Sequence, residues 1–216
     1  MTPKPSSSLS SRRGSKSTGF SVAEDTLAGT SIEPSKVVLN IGCGHPGQGL
    51  HPTFHGIEWR ELRLDIDPSV DPDIVCSMVD MTPIATGTID AIWSSHNLEH
   101  LHRHEVPAAL GEFLRVLRPG GQLLLTLPDL QKVAELIAAD GLEDPAYVSP
   151  SGPITPLDMI FGHTSSLARG LTFMAHKTGF TPTTLGNLLV EAGFVAIRLR
   201  RGNSFDLWAS ALKPAR

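Results

Sequence analysis

The sequence predicts an α/β protein: a doubly wound, mostly parallel seven-stranded sheet with the last strand antiparallel. Three observations predict it. Strand-type and helix-type apolar patterns alternate along most of the chain. The first strand pattern, Val37–Ile41, empties into a glycine-rich turn, Gly42-Cys43-Gly44. The last two strand patterns are joined by a short turn at Gly202-Asn203, and so direct a connection makes them antiparallel.

Each element has its own reason. Val37, Val38 and Ile41 are β-branched and suit a buried strand. Between 45 and 60, Pro46, Gly47, Gly49, Pro52 and Gly56 leave no room for the long helix of an ordinary crossover. That segment reads as an ordered loop with at most one helical turn. Leu62–Ile66 is the second strand, and Asp73–Ser77 is a short third one. Ile89–Ser94 is the fourth. Glu105–Leu117 is a helix, with Val106, Leu110, Phe113, Leu114 and Leu117 at helical spacing. Pro119-Gly120-Gly121 stops it, and Gln122–Leu127 is an almost wholly apolar central strand.

Asp129 caps a helix running to about Ala139, and Thr181 caps another that starts at Pro182 and ends at Gly193. Val195–Arg200 and Phe205–Leu212 close the sheet. Residues 141–180 are irregular, and a loop this long in a compact domain is usually functional. It is expected to cover a substrate. Residues 1–35 are a different material. The stretch to Ser21 is rich in Ser, holds Lys4, Arg12, Arg13 and Lys16, and has no acid. It reads as a disordered tail, with a transit peptide as the other reading of the same composition. The folded domain is expected over 36–216.

Composition removes several function classes. An apolar fraction of 40% is near the globular norm, and no run approaches the length of a spanning helix. The net charge of −4 gives no general attraction to nucleic acid or anionic lipid, so neither is expected as a partner. Two cysteines, Cys43 and Cys76, sit in or beside core strands, which suits a reducing, cytoplasmic compartment.

In a doubly wound sheet, ligands bind beyond the carboxyl ends of the strands. This rule sorts the polar residues. Asn40–Gly44 (Gly42, Cys43 and Gly44 forming the turn), Asp65, Asp80 and Ser94–Asn97 (Ser95 among them) follow strands and can share one cleft, whereas Asp90 precedes its strand and belongs to the opposite edge. Gly42-x-Gly44-x-x-Gly47 also spells a dinucleotide fingerprint, so the turn alone leaves NAD open as its ligand.

Four stretches bear on the cofactor: Val38–Gly44, Leu64–Pro68, Asp80–Ile84 and Ile89–Leu101. With Glu112–Leu123, which reads Glu-Phe-Leu-Arg-Val-Leu-Arg-Pro-Gly-Gly-Gln-Leu, this series resembles the class I S-adenosylmethionine-dependent methyltransferases, in the branch often called methyltransferase type 11. The likeness covers 37–128 well and 182–212 more loosely. It implies the Rossmann-like methyltransferase fold and S-adenosylmethionine as cofactor. It also implies that Asp65 accepts from the ribose hydroxyls and Asp80 from the adenine amino group. Met81 then packs on the adenine ring and donates its backbone N–H, and the glycine turn holds the methionine end. The chain departs from the family where Asn40 stands in place of an acid, and where the third glycine falls at Gly47.

Methyl transfer from a sulfonium is an in-line displacement, in which positioning and exclusion of water do much of the work. A base is needed only for an acceptor that binds protonated. The candidates are His96, at the end of the fourth strand, and His163 and His176 in the covering segment. The family's amine-modifying members often show Asn or Asp, Pro, Pro and an aromatic residue after the fourth strand. Ser95-His96-Asn97-Leu98 stands there instead, which points to a small-molecule or a glycan- or lipid-linked acceptor. His96, His100, His102 and His104 cluster in sequence without an organised set of four ligands, so no metal is expected. A non-catalytic binding module of the same fold is the alternative from another class.

Overall fold

The computed structural model describes residues 35–47 and 49–216. The reading of 1–35 as a tail therefore lies outside the described residues, Ser35 apart. Seven strands form one sheet: β1 (Lys36–Ile41), β2 (Trp59–Asp65), β3 (Ile74–Val75), β4 (Ile89–Ser95), β5 (Leu117–Pro128), β8 (Val195–Arg201) and β9 (Asp206–Leu212). Their order is β3-β2-β1-β4-β5-β9-β8. Pairs among β1 to β5 are parallel, and β9 runs antiparallel to both β5 and β8. The order reverses at β1 and β4, which is where such a sheet opens a crevice at its carboxyl edge.

Helices α1 (Val106–Val116) and α5 (Pro182–Glu191) cover one face. Their buried stripes, Val106, Ala109, Leu110, Phe113 and Val116 on α1 and Leu185, Leu188 and Leu189 on α5, pack on Leu39, Ile41, Ile92 and Leu125 of the sheet. The opposite face holds a smaller cluster of Val38, Ala91, Trp93 and Phe54. Phe54 comes from the 45–60 segment, which contains a single 3-10 turn, Pro52–Phe54, as its breakers require. The Trp93 indole N–H donates to the Gly49 carbonyl and ties this loop to the sheet.

Three elements differ from expectation. The third strand shrinks to Ile74–Val75, since it lies at the sheet edge with one neighbour. Strand β5 begins at Leu117, before the Pro119-Gly120-Gly121 stop. Its register against β4 shifts between Ile89 and Ala91, so the glycines form an irregularity within the strand rather than a loop before it. Residues 141–180 are not irregular throughout. They hold a two-stranded ribbon, β6 (Tyr147–Ser149) with β7 (Gly152–Ile154), and helices α3 (Pro156–Phe161) and α4 (Thr164–Ala168). Helix α3 carries a complete capping box between Thr155 and Asp158. Helix α2 (Leu130–Ala138) is capped by Asp129 and α5 by Thr181, as predicted.

Candidate active site

The turn after β1 is shaped by two glycines with different neighbours. Gly42 has φ +63°, and a Cβ there would come within 1.8 Å of Asn97 Oδ1. Gly44 has φ +60° and faces open space. The first glycine makes room for a protein side chain and the second keeps the approach to the backbone clear. Asn97 is buried and donates from Nδ2 to the Ile41 carbonyl at 2.7 Å and the Ser95 carbonyl at 3.1 Å, tying the ends of β1 and β4 together.

Asp65 ends β2. Its Oδ2 accepts from the Gly44 N–H at 3.0 Å and its Oδ1 from the Asp67 N–H at 3.0 Å. Each oxygen keeps acceptor capacity for a further donor. Arg63 braces the same corner by donating to the carbonyls of Gly44, Val70 and Asp71. These groups bound a cavity of about 560 Å³ at the carboxyl edge of β1, β2 and β4, within the range of small-molecule sites.

A second cavity of about 330 Å³ lies beside it, under the ribbon β6–β7 and helices α3 and α4. His96, His100 and Met174 line both, so they form a common wall. His163, His176, Asp158 and Tyr147 line the second cavity, where the Tyr147 and Phe205 rings stack.

The covering segment is fixed at that wall by backbone bonds. The N–H groups of Lys177 and Thr178 both donate to the Glu99 carbonyl, at 2.8 and 3.2 Å. Gly162, with φ +100°, allows residues 174–176 to pass: a Cβ there would lie 2.3 Å from the Met174 carbonyl oxygen.

Residues 39–125 match the family of methyltransferase domains. That match spans less than half of the chain, and over it the chain is similar to methyltransferase domains. A stretch of 63 residues is 40% identical to a malonyl-[acyl-carrier protein] O-methyltransferase of Laribacter hongkongensis, covering 28% of this chain and 20% of that protein. Among solved structures, an S-adenosylmethionine-dependent methyltransferase from Methanosarcina mazei superposes with TM-score 0.57 at 18% identity, covering 86% of this chain and 96% of the other. The complex of the Trm112 methyltransferase activator with a methyltransferase of Haloferax volcanii gives TM-score 0.56 at 14% identity, with 84% of each chain covered. The structural likenesses establish the seven-stranded fold.

At the carboxyl edge of the sheet, the structure divides the expected cofactor residues. Gly42, Gly44, Asp65 and Ser95 line the larger cavity. Asn40, Cys43, Asp80 and Met81 do not line it. Asn40 is buried and donates from Nδ2 to Glu61 Oε1 at 2.7 Å, so its side chain is engaged one strand away from the cavity. Cys43 is buried with its N–H on the Leu64 carbonyl, and burial pushes its thiol up to about 11.

Asp80 is exposed and accepts from the Thr82 N–H and hydroxyl. Met81 is fully buried, and its N–H is taken by Glu112 Oε2 at 2.7 Å. An adenine cannot use a donor that is already bonded inside the core. Ser77 and Met78 line the cavity in their place, because β3 ends two residues sooner than the pattern suggests.

The expected histidines fare differently. His96, His163 and His176 all line the second cavity. His163 Nδ1 pairs with Ser166 Oγ at 2.9 Å, while His102 and His104 stack on each other and line neither cavity. His96 has φ +55°, uncommon for a residue with a Cβ, and its Nδ1 lies 3.2 Å from Glu99 Oε1. Burial opposes a charge on the His96 ring, but the bond and charge of Glu99 outweigh it and hold the ring above the ordinary histidine range. Burial lowers His176 despite the nearby carboxylate. Asn97, in the polar run Ser94–Asn97 expected at the cleft, lines the larger cavity, whereas Arg63, Glu99 and Phe205, which line the cavities or fix their walls, lay outside the predicted set.

Proposed function

We propose that the domain binds S-adenosylmethionine in the larger cavity and methylates an oxygen of an acceptor held in the smaller one. The observation that carries this is the wall of His96, His100 and Met174 common to both cavities. An in-line displacement needs donor and acceptor on either side of one short gap, and two adjoining cavities supply that arrangement.

The larger cavity fits the cofactor in chemistry. Asp65 offers carboxylate oxygens with spare lone pairs to a pair of ribose hydroxyls. Ile66, 58% exposed though apolar, and Met78 offer apolar flanks to a base. The open side of Gly44 admits the methionine end. When bound, the cofactor supplies an electrophilic methyl group on sulfur and a good leaving group.

His96 takes the proton of a hydroxyl acceptor. Its Nδ1 is held by Glu99, which directs the remaining nitrogen away from that carboxylate, and the ring stands where the cavities meet. As the O–H bond gives its proton to His96, the acceptor oxygen forms the C–O bond and the C–S bond breaks. An acceptor that binds ionised, such as a carboxylate, needs no base. The smaller cavity suits a small polar metabolite or the exposed end of a glycan- or lipid-linked one, with stacked Tyr147 and Phe205 on one side and His163 and Asp158 on another.

No helix among the described residues is long and apolar enough to cross a membrane. Two unpaired cysteines accord with a cytoplasmic setting. The reading is tested by incubating the full chain with labelled methyl donor and a metabolite panel. Labelled product containing a new O-methyl group supports it. Binding of S-adenosylhomocysteine without turnover on any acceptor pool assigns a binding module instead, and tighter binding of NADH than of S-adenosylhomocysteine overturns the cofactor.

A further inference from the structure

One buried group is left over when the two cavities are accounted for. Glu99 is 1% exposed, and while its Oε1 meets His96, its Oε2 is buried without a hydrogen-bond partner among the described residues. A carboxylate oxygen in that position carries a heavy desolvation cost unless something positive sits on it.

Two imidazoles stand next to it. His100 and His176 are edge to face, with ring centroids 4.9 Å apart. The Nδ1 of His100 lies 3.2 Å from the Ala175 carbonyl oxygen and the Nδ1 of His176 lies 2.9 Å from the Met159 carbonyl oxygen. A carbonyl only accepts, so Nδ1 is the donor in both rings, and in the neutral tautomer this requires, Nε2 is the atom free to bind a cation. Metal-bound histidines are oriented by this same kind of bond from the far nitrogen. The cluster therefore presents three acceptors and no donor. One ligand atom from each of Glu99, His100 and His176 lies within 4.8 Å of the others. Ligands of one divalent ion stand roughly 3–3.5 Å apart, so side-chain torsions must close the set by up to about 1.5 Å.

We propose that Glu99, His100 and His176 bind one divalent first-row transition-metal cation on the wall between the two cavities. Two imidazoles and one carboxylate suit Zn²⁺, Co²⁺, Fe²⁺ or Mn²⁺, and three protein ligands leave coordination positions open. This site was hidden from the sequence, where the run of histidines from 96 to 104 draws attention while His176 lies 76 residues beyond His100. Because His100 and His176 both line the smaller cavity, the open positions can take an acceptor oxygen. That role rests on the methyl-transfer reading, whereas metal binding itself does not.

The test uses the full chain without a histidine tag, stripped with chelator and titrated with Co²⁺ under calorimetry and visible absorption. One equivalent should bind, with the absorption bands of a nitrogen- and oxygen-ligated ion. His176→Gln and Glu99→Gln should each weaken uptake about tenfold or more. S-adenosylhomocysteine binding is measured on the same samples and shows which variants are folded. If Glu99→Gln does not fold, His176→Gln decides. The proposal is overturned if the wild-type chain takes up no Co²⁺, if His176→Gln takes up as much, or if His102→Ala removes the binding, which marks an adventitious ion only. A wild-type chain that binds S-adenosylhomocysteine but takes up no metal refutes this site alone, and a wild-type chain that takes up metal but does not bind S-adenosylhomocysteine refutes the cofactor reading alone.

Discussion

The carboxamide of Asn97 occupies the space that a side chain on Gly42 would need: a Cβ there would lie 1.8 Å from Oδ1 and 2.7 Å from Nδ2. The glycine and the asparagine are thus one device, joining the ends of β1 and β4 beside the larger cavity. Gly42→Ala has to displace Asn97 from the Ile41 carbonyl and also hold alanine at φ +63°. We expect roughly 2–4 kcal/mol of lost stability and weakened S-adenosylhomocysteine binding. Gly44→Ala pays the backbone strain without the clash, so it should unfold at a higher temperature than Gly42→Ala. Equal melting temperatures would show that Asn97 moves freely.

Two aspartates separate the sequence reading of the cofactor site from the structural one. Asp65→Ala removes the acceptor of the Gly44 and Asp67 N–H groups and should weaken S-adenosylhomocysteine binding by roughly 1–3 kcal/mol in calorimetry. Asp80→Ala removes only an exposed partner of Thr82 and should leave that affinity within about twofold. A large loss at Asp80 would restore it to the site and displace Ser77 and Met78.

His96→Ala leaves the larger cavity largely in place but removes the proposed base from the common wall. With a hydroxyl acceptor, kcat should fall about 10²- to 10⁴-fold while S-adenosylhomocysteine affinity stays near that of the wild type. A carboxylate acceptor should tolerate the substitution far better. An unchanged kcat on a hydroxyl acceptor would take His96 out of the chemistry.

Asp158 makes the covering segment sensitive to acid. Burial works against its charge, but bonds from Thr164 and Thr155 outweigh that and bring its carboxyl from the usual 3.8 down to about 2. The folded state thus holds the proton more weakly than the unfolded one, so the stabilisation is present above about pH 4 and lost as pH falls towards 2. It amounts to roughly 2 kcal/mol. Denaturant unfolding near pH 6 and near pH 2.5 should show wild type losing more stability than Asp158→Asn by about that amount. Equal losses would remove the role of Asp158 as a charged cap.

Most of the architecture was legible because it rests on local patterns. The β-branched run at Val37–Ile41, the helical stripe through Leu110 and Phe113, and the caps at Asp129 and Thr181 each depend on residues close in sequence. The ribbon and short helices at 147–168 escaped because elements of three to six residues are too short for periodicity to show.

By itself the sequence determined the order of strands and helices along the chain, the glycine turn after β1, Asp65 at the end of β2, and a resemblance to one family of methyltransferases. Only the tertiary structure decided which polar groups face the cavities. It turned Asp80 outward and closed Met81 into the core, engaged Asn40 with Glu61, and set His176 beside Glu99 and His100. The physical reason is that a backbone pattern follows from neighbours in the chain, while the direction and partner of a side chain follow from residues that meet only when the sheet and its covering segment have closed.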